Sequence, residues 1–275
     1  MDELPNRKVV RVIGESYLYK GGEQIWKYRS RALATALKDL GWDLSAPLHI
    51  EPLPLGLSNH NYKIFCGNHG PLLLKMFGPT VGYSNPPERH IQDSGFAAHV
   101  VQRLDWGRLE TWLAGRPMRR EDCDNSQVLV ALANELRHLH TVAGRNHNDL
   151  NFTNVLVCES EDFPTTHLLD FEYAGPLDPP LDIANFFCEW MYDFESPRWF
   201  EPDPTRFPSD EQARAFIAQY LGITNYADDG VLACQKEVQA RIPNVHKFWI
   251  NWAMKNFSDR YEYVQYAELR QILVD

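Results

Sequence analysis

No stretch of this chain approaches the roughly 18 consecutive apolar residues that a membrane-spanning helix needs, so stable membrane insertion is not expected. The opening MDELPNRKVV is charged where a secretory leader would be apolar. A basic surplus is missing too. Twenty-seven Lys and Arg against 37 Asp and Glu leave a formal charge of −10 and a pI near 5.5. That balance offers neither the basic stripe of a nucleic-acid binder nor a polybasic run for an anionic membrane. Cysteine is scarce: the five, at 66, 123, 158, 188 and 234, are odd in number, scattered and without a C-x-x-C pair, a pattern that suggests neither a disulfide framework nor a zinc site and fits a reducing cytoplasm. Repeats and low-complexity tracts are absent.

What remains is ample for a large core. With 275 residues, 44% hydrophobic and 12% aromatic, the chain is long enough to divide into two lobes. Residues 22–41 carry Ile25, Tyr28, Leu33, Leu37 and Leu40 at roughly helical spacing and stop at Gly41, predicting an amphipathic helix. Short apolar runs punctuated by Gly and Asn follow: HIEPLPLGL, NYKIFCG and PLLLKMFG, then HVVQRL and GRLETWL as a second hairpin. Residues 1–113 therefore read as a small, mainly β lobe. Beyond them helical spacing dominates, with Asp124 or Asn125 as a cap for a helix through 139 and further helices expected at 181–194, 209–221 and 231–266. The Pro-rich 195–210 reads as an ordered surface loop. Residues 114–275 make a larger helical lobe.

Just past that junction stands HNDLNFTN (147–154), followed by LLDFEYAG (168–175). Such crowded polar residues between apolar runs do little for a core. Transfer of a phosphoryl group to a hydroxyl needs a metal on the phosphates, oxygen ligands to hold it, and a carboxylate to orient the hydroxyl and take its proton. Asp149, Asn154 five residues on, and Asp170 after a short hairpin match H-x-D-x-x-x-x-N followed by hydrophobic-D-F, the spacing of such kinases. Asp149 reads as the base, and Asn154 and Asp170 as metal ligands. The bland alternative is that Asp149 and Asn154 cap turns and Asp170 is a surface acid.

HNDLNFTNVLV, LLDFEYAG and above all LDIANFFCEWMYDF (181–194) resemble the choline/ethanolamine kinase family, within the wider group of aminoglycoside phosphotransferases and protein kinases. The resemblance runs from about Leu53 to Tyr266. It implies an α+β, two-lobed protein-kinase-like fold, with a β-rich nucleotide-binding lobe at 1–113 and a helical lobe at 114–275 holding the catalytic loop and an amine pocket. It also implies ATP as co-substrate and Mg²⁺. By the same likeness Gly56, Ser58 and Asn59 form the phosphate-binding hairpin, Lys75 meets the phosphates, Glu110 to Leu113 offer backbone groups to adenine, and Leu74 and Leu113 sandwich its ring. The lesser alternative for Lys75 is an edge lysine snorkelling to water, since an inward lysine in so apolar a strand needs an anionic partner. His147 and Asp182 would brace the catalytic loop; Asp182 also suits the dipole of the helix it opens.

A quaternary ammonium cannot donate a hydrogen bond, so a choline site needs aromatic faces and a nearby carboxylate. The resemblance assigns Glu189 as that carboxylate, with Trp190 and Phe194 on its helix, Trp249 and Trp252 three apart on another, and Tyr266 and Tyr173 closing the box. Core packing is the competing reading for each ring alone. Departures from the family pattern are Gln92 where a glutamate should pair with Lys75 (Glu88 and Asp93 being substitutes, on a helix burying Phe96 and Val100), Asn151 two positions after the base, and Phe194 in place of Tyr. The expected activity is ATP- and Mg²⁺-dependent phosphorylation of choline, with ethanolamine as a second acceptor, the first step of phosphatidylcholine or phosphatidylethanolamine synthesis. The alternatives are an ethanolamine-preferring kinase, a pseudokinase that binds amine or nucleotide without turnover, and an aminoglycoside-type phosphotransferase. A homodimer stays open.

Overall fold

A computed structural model describes residues 23–53, 59–77, 86–96, 98–256 and 261–274. Two compact units result, one of residues 1–85 with 98–113 and one of 86–97 with 114–275. The boundary read at 113 thus differs at 86–97, a segment that packs with the helical unit.

The first unit holds helix α1 (Glu23–Asp39) and an antiparallel sheet of β1 (Leu48–Pro52), β2 (Asn59–Cys66), β3 (His69–Phe77), β4 (Val100–Leu104) and β5 (Gly107–Thr111), ordered β1-β2-β3-β5-β4. Helix α1 ends as the sequence foretells: Trp42 N–H donates to Leu37 C=O at 2.9 Å across Gly41, whose φ of +79° an L side chain rarely adopts. Leu33 and Leu37 are buried, whereas Tyr28 and Leu40 stay exposed, and Tyr28 instead gives its hydroxyl to Asp105. Strand alternation sorts the two sheet faces. Ile64, Leu74, Met76 and Leu109 share the core with α1, and Lys75, Arg108 and Glu110 take the opposite face.

The second unit opens with α2 (Pro86–Asp93), which buries Ile91 and ends well before Val100; that residue belongs to β4 instead of the expected helical face. Then come β6 (Arg116–Pro117), α3 (Ser126–Ala143), β7 (Arg145–Asn146), β8 (Val155–Cys158), β9 (Thr165–Leu168), β10 (Gly175–Pro176), α4 (Pro179–Glu189), α5 (Asp210–Leu221), α6 (Asp229–Asn256) and α7 (Tyr261–Ile272). Asn125 caps α3, accepting from Gln127 N–H at 3.0 Å. Helix α4 stops at Glu189, so Trp190 to Phe194, expected within it, lie beyond its end. The run expected as one helix over 231–266 is two helices, and residues 257–260 lie outside the described set. Small sheets β6-β8-β9 and β7-β10 frame one end of a core that includes Leu132, Leu136, Leu150, Val155, Ile183 and Phe186.

Candidate active site

Register brings the polar cluster together. Val155 pairs with Leu168 across β8 and β9, so Asn154 and Leu169 are the next neighbours along the ladder, and Leu169 N–H donates to Asn154 C=O at 2.8 Å. On the other side, Asn146 of β7 pairs with Gly175 of β10, closing residues 147–149 onto 171–174. Asp149 and Asp170 therefore stand on adjoining loops of one unit.

Asp149 is half-buried and held by two amides. Asn151 Nδ2 donates to its Oδ1 at 2.9 Å, and Asn154 Nδ2 donates to its Oδ2 at 2.8 Å and to its backbone oxygen at 2.9 Å. Burial first, then the negative charges of Glu189 and Asp170, push the Asp149 carboxyl well above the usual carboxylate range. A raised value suits a group that must accept a proton. With Asn154 Nδ2 spent on Asp149, its Oδ1 is the atom left to coordinate.

The loop is pinned from below by Asp182. This fully buried carboxylate accepts from His147 N–H at 2.7 Å, Asn148 N–H at 2.6 Å and His140 Nε2 at 2.9 Å. His147 is in turn a fixed neutral tautomer. Its Nε2–H donates to Leu169 C=O at 2.8 Å and its Nδ1 accepts from Asp149 N–H at 3.3 Å, while burial lowers its pKa. Asn148 and Asp170 adopt φ of +62° and +61°, left-handed values uncommon outside glycine. Asn148 Nδ2 also donates to Tyr173 C=O at 3.0 Å, reaching past Gly175, where a Cβ would lie 2.6 Å from that nitrogen.

Aromatic rings gather nearby in the same unit. Tyr173 lies 5.7 Å from Trp249, which lies 5.7 Å from Trp252, and Trp252 Nε1–H donates to the Tyr173 hydroxyl at 2.7 Å. Trp249 Nε1–H donates to Asn185 Oδ1 at 2.8 Å. Burial and the neighbouring acids Glu172, Asp149 and Asp170 raise the Tyr173 hydroxyl to about 12, against the hydrogen bond from Trp252. Tyr266 packs at 5.5 Å from Tyr192 and 5.4 Å from Trp199.

Other expectations need correction. Trp190 is 3% exposed and packs edge-on against Phe186 and Phe187, a core position rather than a binding one. Phe194, beyond the helix, is half-buried beside Tyr192. Glu189 is buried in an ion pair with Arg270 Nη2 at 2.5 Å, so its charge is already matched. In the first unit, Leu74 belongs to the α1 core on the face opposite Lys75, which removes it from any wall for adenine; Leu73 is the leucine on the lysine's face. Lys75 is buried, Glu110 is ion-paired with Arg108, Thr111 N–H already donates to His99 C=O at 2.9 Å, and Leu113 follows the strand half-buried. Gly56 and Ser58 lie outside the described residues, and Asn59 opens β2. Residues that sequence reasoning passed over are His140, Asn148, Tyr192, Trp199, Tyr263 and Arg270. An arginine four residues after Tyr266 on one helix was the available signal for the last.

Residues 144–273 match the family model described as choline/ethanolamine kinase. Among curated proteins, "Probable choline kinase 1" of Arabidopsis thaliana is 30% identical over 180 residues, covering 61% of this chain and 51% of that protein. The chain thus spans about half the length of that relative, and 35% of the human choline/ethanolamine kinase, to which it is 31% identical over 141 residues. Among solved structures, a choline kinase from Cryptosporidium parvum superposes with a TM-score of 0.75 at 17% identity, covering 89% of this chain and 94% of that one. A β-rich unit followed by a larger helical one is therefore the choline-kinase fold.

Proposed function

From the match of residues 144–273 to the choline/ethanolamine kinase family, we propose that this protein transfers the γ-phosphoryl group of ATP to the hydroxyl of choline, with ethanolamine as a second acceptor. The observation that carries the reading is the meeting of Asp149, Asn154 and Asp170 through the β8–β9 register, braced by Asp182 and His147. Asp149 orients the acceptor hydroxyl and takes its proton as the oxygen attacks phosphorus. ADP leaves. The two amides on Asp149 fix its direction, which is where positioning contributes to rate.

Asn154 Oδ1 and Asp170 are the residues for a divalent cation, Mg²⁺ in this proposal, which neutralises phosphate charge when bound. Both are hard oxygen donors, as such a cation prefers. Lys75, Gly56, Ser58 and Asn59 are assigned to the phosphates, and the backbone of Glu110 to Leu113 to adenine. Tyr173, Trp249, Trp252 and Tyr266 are assigned to the ammonium, whose charge favours ring faces. No helix among the described residues is long and apolar enough to cross a membrane. A cytoplasmic setting and a place at the first step of phospholipid headgroup activation belong to the same proposal.

The test is a steady-state assay of the purified protein with Mg·ATP and each amine, Asp149→Asn serving as blank. Phosphocholine formation that disappears in the variant is expected. A wild-type protein that phosphorylates neither amine at high ATP would sink the reading.

A further inference from the structure

A cation already sits among the rings. Arg270 of α7, one turn after Tyr266, is fully buried. Its guanidinium carbon lies 4.5 Å from the Tyr192 ring centre and 4.6 Å from that of Tyr266. Nη2 donates to Glu189, and Nη1 approaches His246 Nδ1 at 3.5 Å, whose Nε2 lies 3.8 Å from Cys188 Sγ. Two rings and two polar partners pin the group, so it is a fixed part of the wall and does not swing as a gate.

We propose that Arg270 sets the amine preference: by matching the charge of Glu189 it withdraws the carboxylate assigned to the substrate, leaving the ammonium to be recognised by aromatic faces, and so favours choline over ethanolamine. This inference rests on the kinase reading above. The physical reason is the difference between the two cations. A primary ammonium has three N–H donors and loses their hydration unless acceptors replace water. A quaternary ammonium has none and spreads its charge over methyl groups that suit ring faces. Glu189 would serve the first, but a second cation there meets the guanidinium, and like charges repel strongly in a buried setting. Arg270 is thus a positioning residue, acting through Glu189 and Tyr266.

Two measurements test it. With the wild-type protein, kcat/KM should rise at each N-methylation from ethanolamine through its mono- and dimethyl forms to choline, by about tenfold or more overall and mainly through KM, the scale of a desolvated cation–π contact. Glu189→Gln leaves Arg270 uncompensated and should raise the choline KM about tenfold or more, whereas Glu189→Gln with Arg270→Met removes both charges and should hold it within about threefold of wild type. A structural pair also tolerates loss of both charges, so the deciding readout is the amine preference: Arg270→Met alone, which frees Glu189, should lower the ethanolamine KM about tenfold or more relative to that for choline, and an unchanged preference overturns the inference. Ethanolamine used as well as choline by the wild type overturns the inference, and so does a double variant whose choline KM is as poor as that of Glu189→Gln, since Glu189 is then the counter-ion. If the variants do not fold, the methylation series decides. Failure of the wild type to phosphorylate any of the four amines is a different result, refuting the kinase reading on which the inference stands.

Discussion

Asp182→Asn is the sharpest perturbation of the site, because the carboxylate does three jobs at once. Oδ2 accepts from His140 at 2.9 Å and His147 N–H at 2.7 Å, while Oδ1 accepts from Asn148 N–H at 2.6 Å. An amide has one oxygen. If that oxygen takes the Oδ2 place, its NH₂ faces the Asn148 N–H, donor against donor in a site with no exposure. One lost bond to a charged acceptor is worth about 1.5–3 kcal/mol and the remaining bonds weaken without the charge, so a loss of about 2–4 kcal/mol is expected. That is a large share of a typical stability of about 5–15 kcal/mol. Asn148 is held at φ +62° by this anchor, and the next residue is Asp149, so kcat should fall more than KM changes. Urea unfolding with an unchanged m-value, together with amine phosphorylation at saturating substrates, reads both effects. A variant within about 0.5 kcal/mol of wild type with unaltered kcat refutes the bracing role, since surface-like substitutions behave that way.

His246 is held near pKa 4 against an ordinary 6.5, first by burial and then by Arg270. The unfolded chain therefore takes up the proton first on acidification. The stability gained by keeping His246 neutral is complete above pH 6.5 and falls away as pH drops toward 4, by about 3 kcal/mol. His246→Gln should flatten that slope in denaturation series across this window; an unchanged slope removes His246 as its source. Gly175→Ala places a Cβ against Asn148 Nδ2 and should break its bond to Tyr173 C=O, costing about 1 kcal/mol and lowering kcat; calorimetry and turnover identical to wild type would contradict the contact. Tyr173→Phe keeps the ring but frees Trp252 Nε1, so the choline KM should rise about two- to fivefold with kcat preserved, and a collapse of kcat would show that the hydroxyl does more.

Much of the fold was legible because its signals are local. Helical spacing placed α1 and α3 and Asn125 as a cap, and alternation with Gly and Asn turns placed the hairpins. What local pattern cannot say is which of two strand faces meets which partner. Leu74 and Lys75 are neighbours in sequence and point to opposite sides of β3, a distinction fixed only when α1 covers one face. In the site, Asp149, Asn154 and Asp170 were readable because their spacing across one short hairpin leaves few ways to arrange them. The role of Glu189 was not. Its partner Arg270 is 81 residues away, and no periodicity announces a pair between helices so separated. Trp190 was misplaced for a related reason: a tryptophan beside a buried glutamate looks the same in sequence whether it lines a pocket or fills a core.

Backbone conformation was equally hidden, and at this site it decides the geometry. Two non-glycine residues in the left-handed region, Asn148 and Asp170, flank or form the cluster of Asp149, Asn154 and Asp170, and each costs about 1–3 kcal/mol. Asn148 is offset by its N–H on Asp182 and its side chain on Tyr173 C=O. Asp170 follows Leu169, whose N–H is tied to Asn154 C=O and whose C=O is tied to His147 Nε2, so both backbone polar groups of the residue leading into Asp170 are fixed. Hydrogen bonds to buried or charged partners, at about 1–3 kcal/mol each, are just sufficient to hold such strain. The balance is close at each residue, and one histidine ring, donating to the Asp170 loop and accepting from Asp149 N–H, makes the two strained segments a single mechanical unit. Asp182 therefore acts on Asp170 without touching it, by fixing the peptide that carries His147.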